Sequence, residues 1–176
     1  MRAGDVIDQP SQGEHFLITR SAIHEDGPLQ FEWTVQPRAS GPPRHMHPHD
    51  HEILRVLEGC ARVELDGEIR LVEAGSSIRL PAGVPHQVRN GGDVPMCVLV
   101  TSDDGVRFER LLDVMSEGGF AGFAKLAQFL GAHPDTVRQS GRAMRAFMWT
   151  VAGIGRLAGH RYVAADSSAT EPSMVQ

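Results

Sequence analysis

The sequence predicts a mainly β protein, a sandwich or barrel of short antiparallel strands, followed by a helical extension. Short apolar runs between residues 53 and 101 each end near a turn signal, such as Asp66-Gly67 or Asn90-Gly91-Gly92. The chain also has 19 glycines and 11 prolines among 176 residues, which favours a turn-rich β design over a helix bundle. After residue 105 the apolar residues recur at helical spacing instead.

The strands are predicted in order along the first 104 residues. Residues 1–13 are polar and rich in turn formers, so we expect an arm or a short edge strand there. A strand follows at residues 14–20, and residues 29–35 alternate apolar and polar side chains, which is typical of a strand with one buried face. Six more strands are predicted at residues 53–57, 61–65, 68–72, 76–80, 86–89 and 96–101.

Three helices are predicted after residue 105. The first covers the apolar residues from Val106 to Met115, the second covers residues 120–130, and the third begins at Asp135, a good N-cap. We expect these helices to pack on the outside of the β domain or across a dimer and to supply no metal ligand; a lid over the barrel mouth is the alternative. The chain therefore divides into residues 1–104, a helical extension at 105–163, and a polar, disordered tail at 164–176.

Composition excludes several classes of function. The net charge of −5 argues against nucleic acid and anionic membranes as partners. Cys60 and Cys97 are the only cysteines, which excludes a disulfide framework and a cysteine-rich zinc site and favours reduced thiols in the cytoplasm. No signal-peptide pattern is visible at the N-terminus, and the uncharged stretch at residues 146–155 is too short to cross a bilayer.

The densest chemical feature is a histidine cluster. Five of the nine histidines lie between residues 45 and 86, and four of them lie in residues 45–51. Two histidines separated by one residue project from the same face of an extended chain, so both imidazoles can reach one ion. Imidazole combined with carboxylate suits first-row transition metals. The nearby Glu52 and the more distant His86 strengthen this prediction of a metal site.

These residues fall into two gapped patterns. Residues 45–59 contain His-x-His, Glu52 and Gly59, and residues 75–90 contain Gly75, Pro81-x-Gly83, His86 and Asn90. The patterns resemble the two signature motifs of the cupin superfamily, although the first lacks the leading glycine at the family's spacing. The resemblance covers residues 29–101, and the whole chain also resembles stand-alone bacterial cupins with a helical tail. It implies a small antiparallel β-barrel, or jelly roll, with a metal inside.

The resemblance implies a ligand set of His45, His47, Glu52 and His86 around one divalent first-row ion: Fe, Mn, Ni, Co, Cu or Zn. A set in which His49 replaces His45 stays open, because His49 has the same strand parity. The leading expected activity is that of a mononuclear dioxygenase, similar to quercetinase-type cupins, with Glu52 also acting as a base. The alternatives are a metal-dependent isomerase, lyase or hydrolase, and a non-catalytic small-molecule binder.

The expected ligand is a small apolar or aromatic molecule in the barrel. The predicted lining is mostly apolar, and no cluster of Arg or Lys indicates a phosphorylated substrate. The expected lining residues are Phe31, Trp33, Met46, Ile53, Leu80, Val88, Met96 and Val98. We also expect a homodimer, because cupin barrels commonly pair through sheet edges and the predicted third helix adds an apolar face.

Overall fold

The computed structural model describes residues 1–139 and 141–163, which form eleven β-strands and three α-helices. The strands are β1 Val6–Gln9, β2 Glu14–Arg20, β3 Leu29–Val35, β4 His45–Met46, β5 Glu52–Glu58, β6 Cys60–Leu65, β7 Glu68–Glu73, β8 Ser77–Leu80, β9 His86–Asn90, β10 Met96–Ser102 and β11 Arg138–Gln139. The helices are α1 Gly105–Ser116, α2 Gly119–Ala132 and α3 Arg142–Leu157.

The strands form two antiparallel sheets that enclose one apolar core. The first sheet has the order β1-β2-β3-β10-β5-β8, and the second has the order β11-β4-β9-β6-β7. Side chains from both sheets are fully buried between them, among them Ile18, Val35, Val63 and Val98. The predicted fold class, a mainly β jelly roll with a C-terminal helical extension, is confirmed.

The local sequence explains these elements. In β3, Leu29, Phe31, Trp33 and Val35 are buried and the residues between them are not, so the apolar face turns inward. The β6–β7 hairpin turns at Asp66 and Gly67, whose φ angles are +49° and +86°. A type I′ turn requires positive φ at both central residues, and this dipeptide adopts that conformation readily.

Buried polar contacts attach α1 to the β domain. The Asp50 carboxylate, between His49 and His51 in the loop before β5, accepts a hydrogen bond from the backbone N–H of Asp104 at 2.7 Å and another from the Ser102 hydroxyl. On α1 the fully buried Glu109 accepts hydrogen bonds from the Ser21 hydroxyl at 2.8 Å and from the backbone N–H of Ala22 at 2.7 Å. The first helix is therefore fixed at its start and along its length.

The structure corrects two predictions about the helical extension. The third helix begins at Arg142 rather than Asp135, because Arg138 and Gln139 pair with β4 as an added strand. The helices also do not simply cover the outside of the β domain. Side chains of all three, such as Phe108, Leu126 and Met148, line a cavity together with inward-facing residues of the sheets. The helical extension therefore covers the interior of the β domain.

Four of the eight predicted lining residues do not line the cavity: Met46, Ile53, Met96 and Val98. Ile53 is 45% exposed, because its neighbours Glu52 and Leu54 occupy the inward parity of β5. Phe31, Trp33, Leu80 and Val88 do line the cavity, whereas Met96 and Val98 are buried in the core below it.

Four other sequence predictions concern membrane spans, the C-terminal tail, the cysteines and the division of the chain. No helix in residues 1–139 and 141–163 is long and apolar enough to cross a membrane. The predicted disordered tail at 164–176 lies outside the described residues. Cys60 and Cys97 are free thiols on β6 and β10, and the division of the chain at residue 104 stays a prediction.

Candidate metal centre

The fold brings three histidines from two strands to one point. His45 lies on β4 directly opposite His86 on β9, and His47 follows β4 by one residue. One ring nitrogen from each of these three residues lies within 4.8 Å of the others. Glu52, at the start of β5 in the other sheet, places its Oε2 3.3 Å from His86 Nε2 and 3.5 Å from His47 Nε2. The cluster therefore bridges the two sheets.

Backbone carbonyls orient each imidazole. His45 Nδ1 lies 2.8 Å from the Pro43 oxygen, His47 Nδ1 lies 2.9 Å from the Thr136 oxygen, and His86 Nδ1 lies 3.0 Å from the Val84 oxygen. A carbonyl only accepts, so each Nδ1 carries the proton and donates it. The Nε2 lone pairs are then free to face the interior of the cluster.

The donor set fits a metal ion. His47 Nε2 and His86 Nε2 are buried and have no hydrogen-bond partner. Unpaired buried acceptors are costly, and a cation between the rings would satisfy both of them. Fixing Nδ1 by a backbone carbonyl is also the usual way in which proteins orient a metal-ligating histidine. Three imidazoles and one carboxylate suit divalent first-row ions.

The electrostatics of the cluster match this role. Burial, together with the nearby rings of His47 and His86, lowers the pKa of His45 to about 3. Burial alone would raise the pKa of Glu52, but the positive charge that His47 and His86 carry when they are protonated brings that pKa down to about 2. At neutral pH His45 is therefore neutral and Glu52 is ionised. These are the protonation states that metal binding requires.

All four residues named from the sequence, His45, His47, Glu52 and His86, lie together, and His49 does not join them. The His49 side chain is 65% exposed, and its Nε2 lies 3.9 Å from the Asp135 carboxylate. The chain turns outward after His47, where the N–H of Gly83 donates to the His47 oxygen at 2.8 Å. The alternative ligand set that contained His49 is thus not supported by the geometry.

The cluster opens into a cavity of about 600 Å³ that is partly open to solvent. Its walls are mostly apolar, and none of the described lining residues is Lys or Arg. The ring of Phe108 on α1 packs against His47 with a centroid distance of 5.1 Å, and Leu112 and Met115 continue the same wall. The helical extension therefore covers the histidine cluster.

Sequence reasoning missed two contributors. The Thr136 carbonyl reaches His47 across 89 residues of sequence, and a backbone acceptor leaves no residue-type signal that could have revealed it. Glu14 lines the cavity and is only 5% exposed. A signal for Glu14 did exist, because it shares the parity of the inward-facing Phe16 and Ile18 in a predicted strand.

In this jelly roll, three imidazoles and one carboxylate lie together beneath the helical extension. The arrangement is typical of small β-barrel proteins with an internal ligand site. The comparison with protein families agrees with this class. The family model described as a cupin domain matches residues 31–102, so this part of the chain is a cupin domain.

Curated relatives match only part of this chain. Mannose-1-phosphate guanylyltransferase of Salmonella typhimurium is 36% identical over 83 residues, which is 43% of this chain and 17% of that protein. Quercetin 2,3-dioxygenase of Bacillus subtilis is 43% identical over 47 residues, or 27% of this chain and 14% of that protein. The chain thus spans less than a fifth of the length of these relatives.

The chain is also similar to solved structures. A sugar phosphate isomerase of the cupin superfamily from Silicibacter pomeroyi is 26% identical, with a TM-score of 0.48. That match covers 52% of this chain and 59% of the other.

Proposed function

We propose that the protein is a metal-dependent enzyme, a mononuclear dioxygenase that acts on a small apolar or aromatic substrate. His45, His47, Glu52 and His86 would hold one divalent first-row ion. The observation that carries the proposal is the convergence of three backbone-oriented imidazoles and one ionised carboxylate at a mostly apolar cavity.

When bound, a redox-active ion would supply O₂ activation and would polarise a substrate oxygen. The protein's own residues supply the remaining functions. The Glu52 carboxylate is ionised and could accept a proton at Oε2 from an acidic enol or phenol hydroxyl. Phe108 packs against His47, and Leu112 lies on the same wall, which would limit the access of water to the reacting groups.

The cavity supports the substrate class. Its volume of about 600 Å³ lies in the usual range for small-molecule sites. The absence of Lys and Arg among the described lining residues disfavours sugar phosphates and other phosphorylated substrates. The similarity to quercetin 2,3-dioxygenase over 47 residues also supports an oxygenase.

The test is metal-dependent O₂ consumption. Protein purified without an affinity tag is loaded separately with Fe(II), Mn(II), Co(II), Ni(II), Cu(II) or Zn(II) and supplied with flavonols and other enolic compounds in an oxygen electrode. We expect uptake with at least one redox-active ion. Glu52→Gln should lower the rate by about 100-fold or more, whereas His49→Ala, which changes an exposed histidine outside the cluster, should leave it unchanged.

The same experiment separates the oxygenase from the alternatives. Conversion of substrate without O₂ consumption would replace the dioxygenase with a Lewis-acid isomerase or lyase at the same residues. Tight substrate binding without conversion under any metal would leave a non-catalytic binder.

A further inference from the structure

A carboxyl group lies in the cavity far from the histidine cluster and has no role in the proposed metal site. Glu14 lies on β2 at the same parity as Phe16 and is 5% exposed. Burial raises the pKa of its carboxyl to about 7, and no donor or cation in residues 1–139 and 141–163 offsets this effect. The charged form of a carboxyl in these surroundings is costly unless a partner donates a hydrogen bond to it.

Two further polar groups beside Glu14 are also unsatisfied. Gln9 is directly opposite Glu14 in the β1–β2 pair, so both side chains lie on one face. Gln9 Nε2 donates to the Met115 oxygen at 3.0 Å, while its Oε1 is buried without a partner. Trp33 is opposite Phe16 on β3, and its buried indole N–H has no acceptor. All of these residues line the same cavity.

The strand register gives the distance from these groups to the histidine cluster. Glu52 pairs with Ser102, and Ser102 pairs with Leu29. The end of the cavity that holds Glu52 and the histidine cluster, here called the metal end, therefore lies level with the start of β3. Glu14 pairs with Val35, six residues further along β3. At about 3.3 Å per residue, the two ends lie about 20 Å apart along the strands. Apolar side chains such as Phe16 and Phe31 line the space between them.

We propose that Glu14, Gln9 and Trp33 form a second binding subsite, which takes a hydroxyl group at the far end of an elongated apolar ligand. The proposal rests on the proposed function for the opposite end, where an oxygen group of the ligand lies at the metal. A hydroxyl both donates and accepts. It can donate to Glu14 or to Gln9 Oε1 and can accept from the Trp33 N–H. An ammonium group only donates and would leave the indole unpaired.

The experiment compares three probes that differ only at one end: 12-hydroxydodecanoate, 12-aminododecanoate and dodecanoate. Binding is followed by the fluorescence of Trp33 in a Trp149→Phe background, since the chain has two tryptophans and Trp149 is 80% exposed. We expect the hydroxyl probe to bind about tenfold more tightly than dodecanoate, as a hydrogen bond to a buried, otherwise unpaired group predicts. The amino probe should bind more weakly than the hydroxyl probe.

Variants assign the preference to the subsite. Glu14→Leu should lower the hydroxyl preference without weakening dodecanoate, because it removes one of the two acceptors, and Glu14→Gln, which keeps the shape of the side chain, should also lower it if the leucine variant does not fold. Glu32→Gln, on the other face of β3, is the matched control and should keep the preference.

Several outcomes would overturn the subsite. These are equal affinity for the hydroxyl probe and dodecanoate, a preference that is undiminished in both Glu14 variants, tighter binding of the amino probe, or no binding of any probe to the parent protein.

The metal end is tested separately with His86→Ala. If the proposed function holds, this variant should weaken all three probes by a similar factor while the ratio between them persists. If the affinity ratios persist but no probe binds more weakly to His86→Ala, the proposed role of the metal end is refuted. The proposal of the Glu14 subsite would not be affected by that result.

Discussion

The stability of this protein should fall as the pH rises through the range in which Glu14 ionises. The carboxyl of Glu14 has its pKa raised from 4.5 to about 7 in the folded chain, because burial disfavours the charged form. The folded protein therefore keeps this proton to about pH 7, while the unfolded chain releases it near pH 4.5. The stabilising effect of the proton is complete below pH 4.5 and is lost as the pH rises to about 7.

The size of the effect follows from the shift. One pKa unit corresponds to about 1.4 kcal/mol, so the full shift gives an upper limit of about 3 kcal/mol. Glu14 faces a cavity that is partly open to water, and we therefore expect a change of about 2 kcal/mol. Glu14→Gln stays neutral at every pH. The variant should match the wild type near pH 4.5 and should be more stable by about 2 kcal/mol at pH 8.

Urea unfolding at pH 4.5, 6 and 8 measures this difference directly. Other titrating groups are present in both proteins, so their contributions cancel in the comparison at each pH. Glu58→Gln, an exposed glutamate on β5, is the control and should show no comparable pH dependence relative to the wild type. A difference between Glu14→Gln and wild type that stays constant from pH 4.5 to 8 would refute the argument.

Three other predictions concern the helical extension and assembly. Truncation after Asp104 should cause aggregation, because it exposes the apolar wall of the cavity and removes the Thr136 carbonyl that contacts His47. A truncated protein that stays monodisperse and folded but loses turnover would show that the extension acts only as a lid. Leu112→Ala should cost about 2–5 kcal/mol in urea unfolding, because Leu112 is 1% exposed and packs into the core of the β domain; a loss below 1 kcal/mol would contradict this packing. Light scattering should give the mass of a homodimer, because Trp149 and Leu157 leave an exposed apolar face on α3; a mass near 19.2 kDa would argue for a monomer.

Much of the fold was predictable because β-strand periodicity is a local property of the sequence. Alternation in residues 29–35 predicted β3 with its correct ends, and the Asp66-Gly67 turn predicted the β6–β7 hairpin. The third helix was less predictable. Asp135 has the local features of a helix start, but pairing of Gln139 with His45 gives the chain hydrogen bonds that a helix would forgo. That partner lies about 90 residues away, and no local pattern reveals it.

The candidate site also has a part that could be predicted from the sequence and a part that could not. His45, His47, Glu52 and His86 were found from the sequence because their types and spacing form gapped patterns. The contribution of the helical extension was not found. The helical extension contributes through the placement of its three helices over the cavity and through the backbone carbonyl of Thr136. Neither feature requires a particular type of residue, so the sequence gives no signal for it.

The most direct test of the account is the metal content of protein purified without an affinity tag. Elemental analysis and titration of the metal-free protein with Co(II) should give one ion per chain. His86→Ala should lower the affinity at least tenfold while the β domain stays folded by circular dichroism, since loss of one imidazole leaves the other ligands in place. His49→Ala should bind as the wild type does. A wild-type protein that binds no transition metal, or a His86→Ala variant that binds it equally well, would contradict the account.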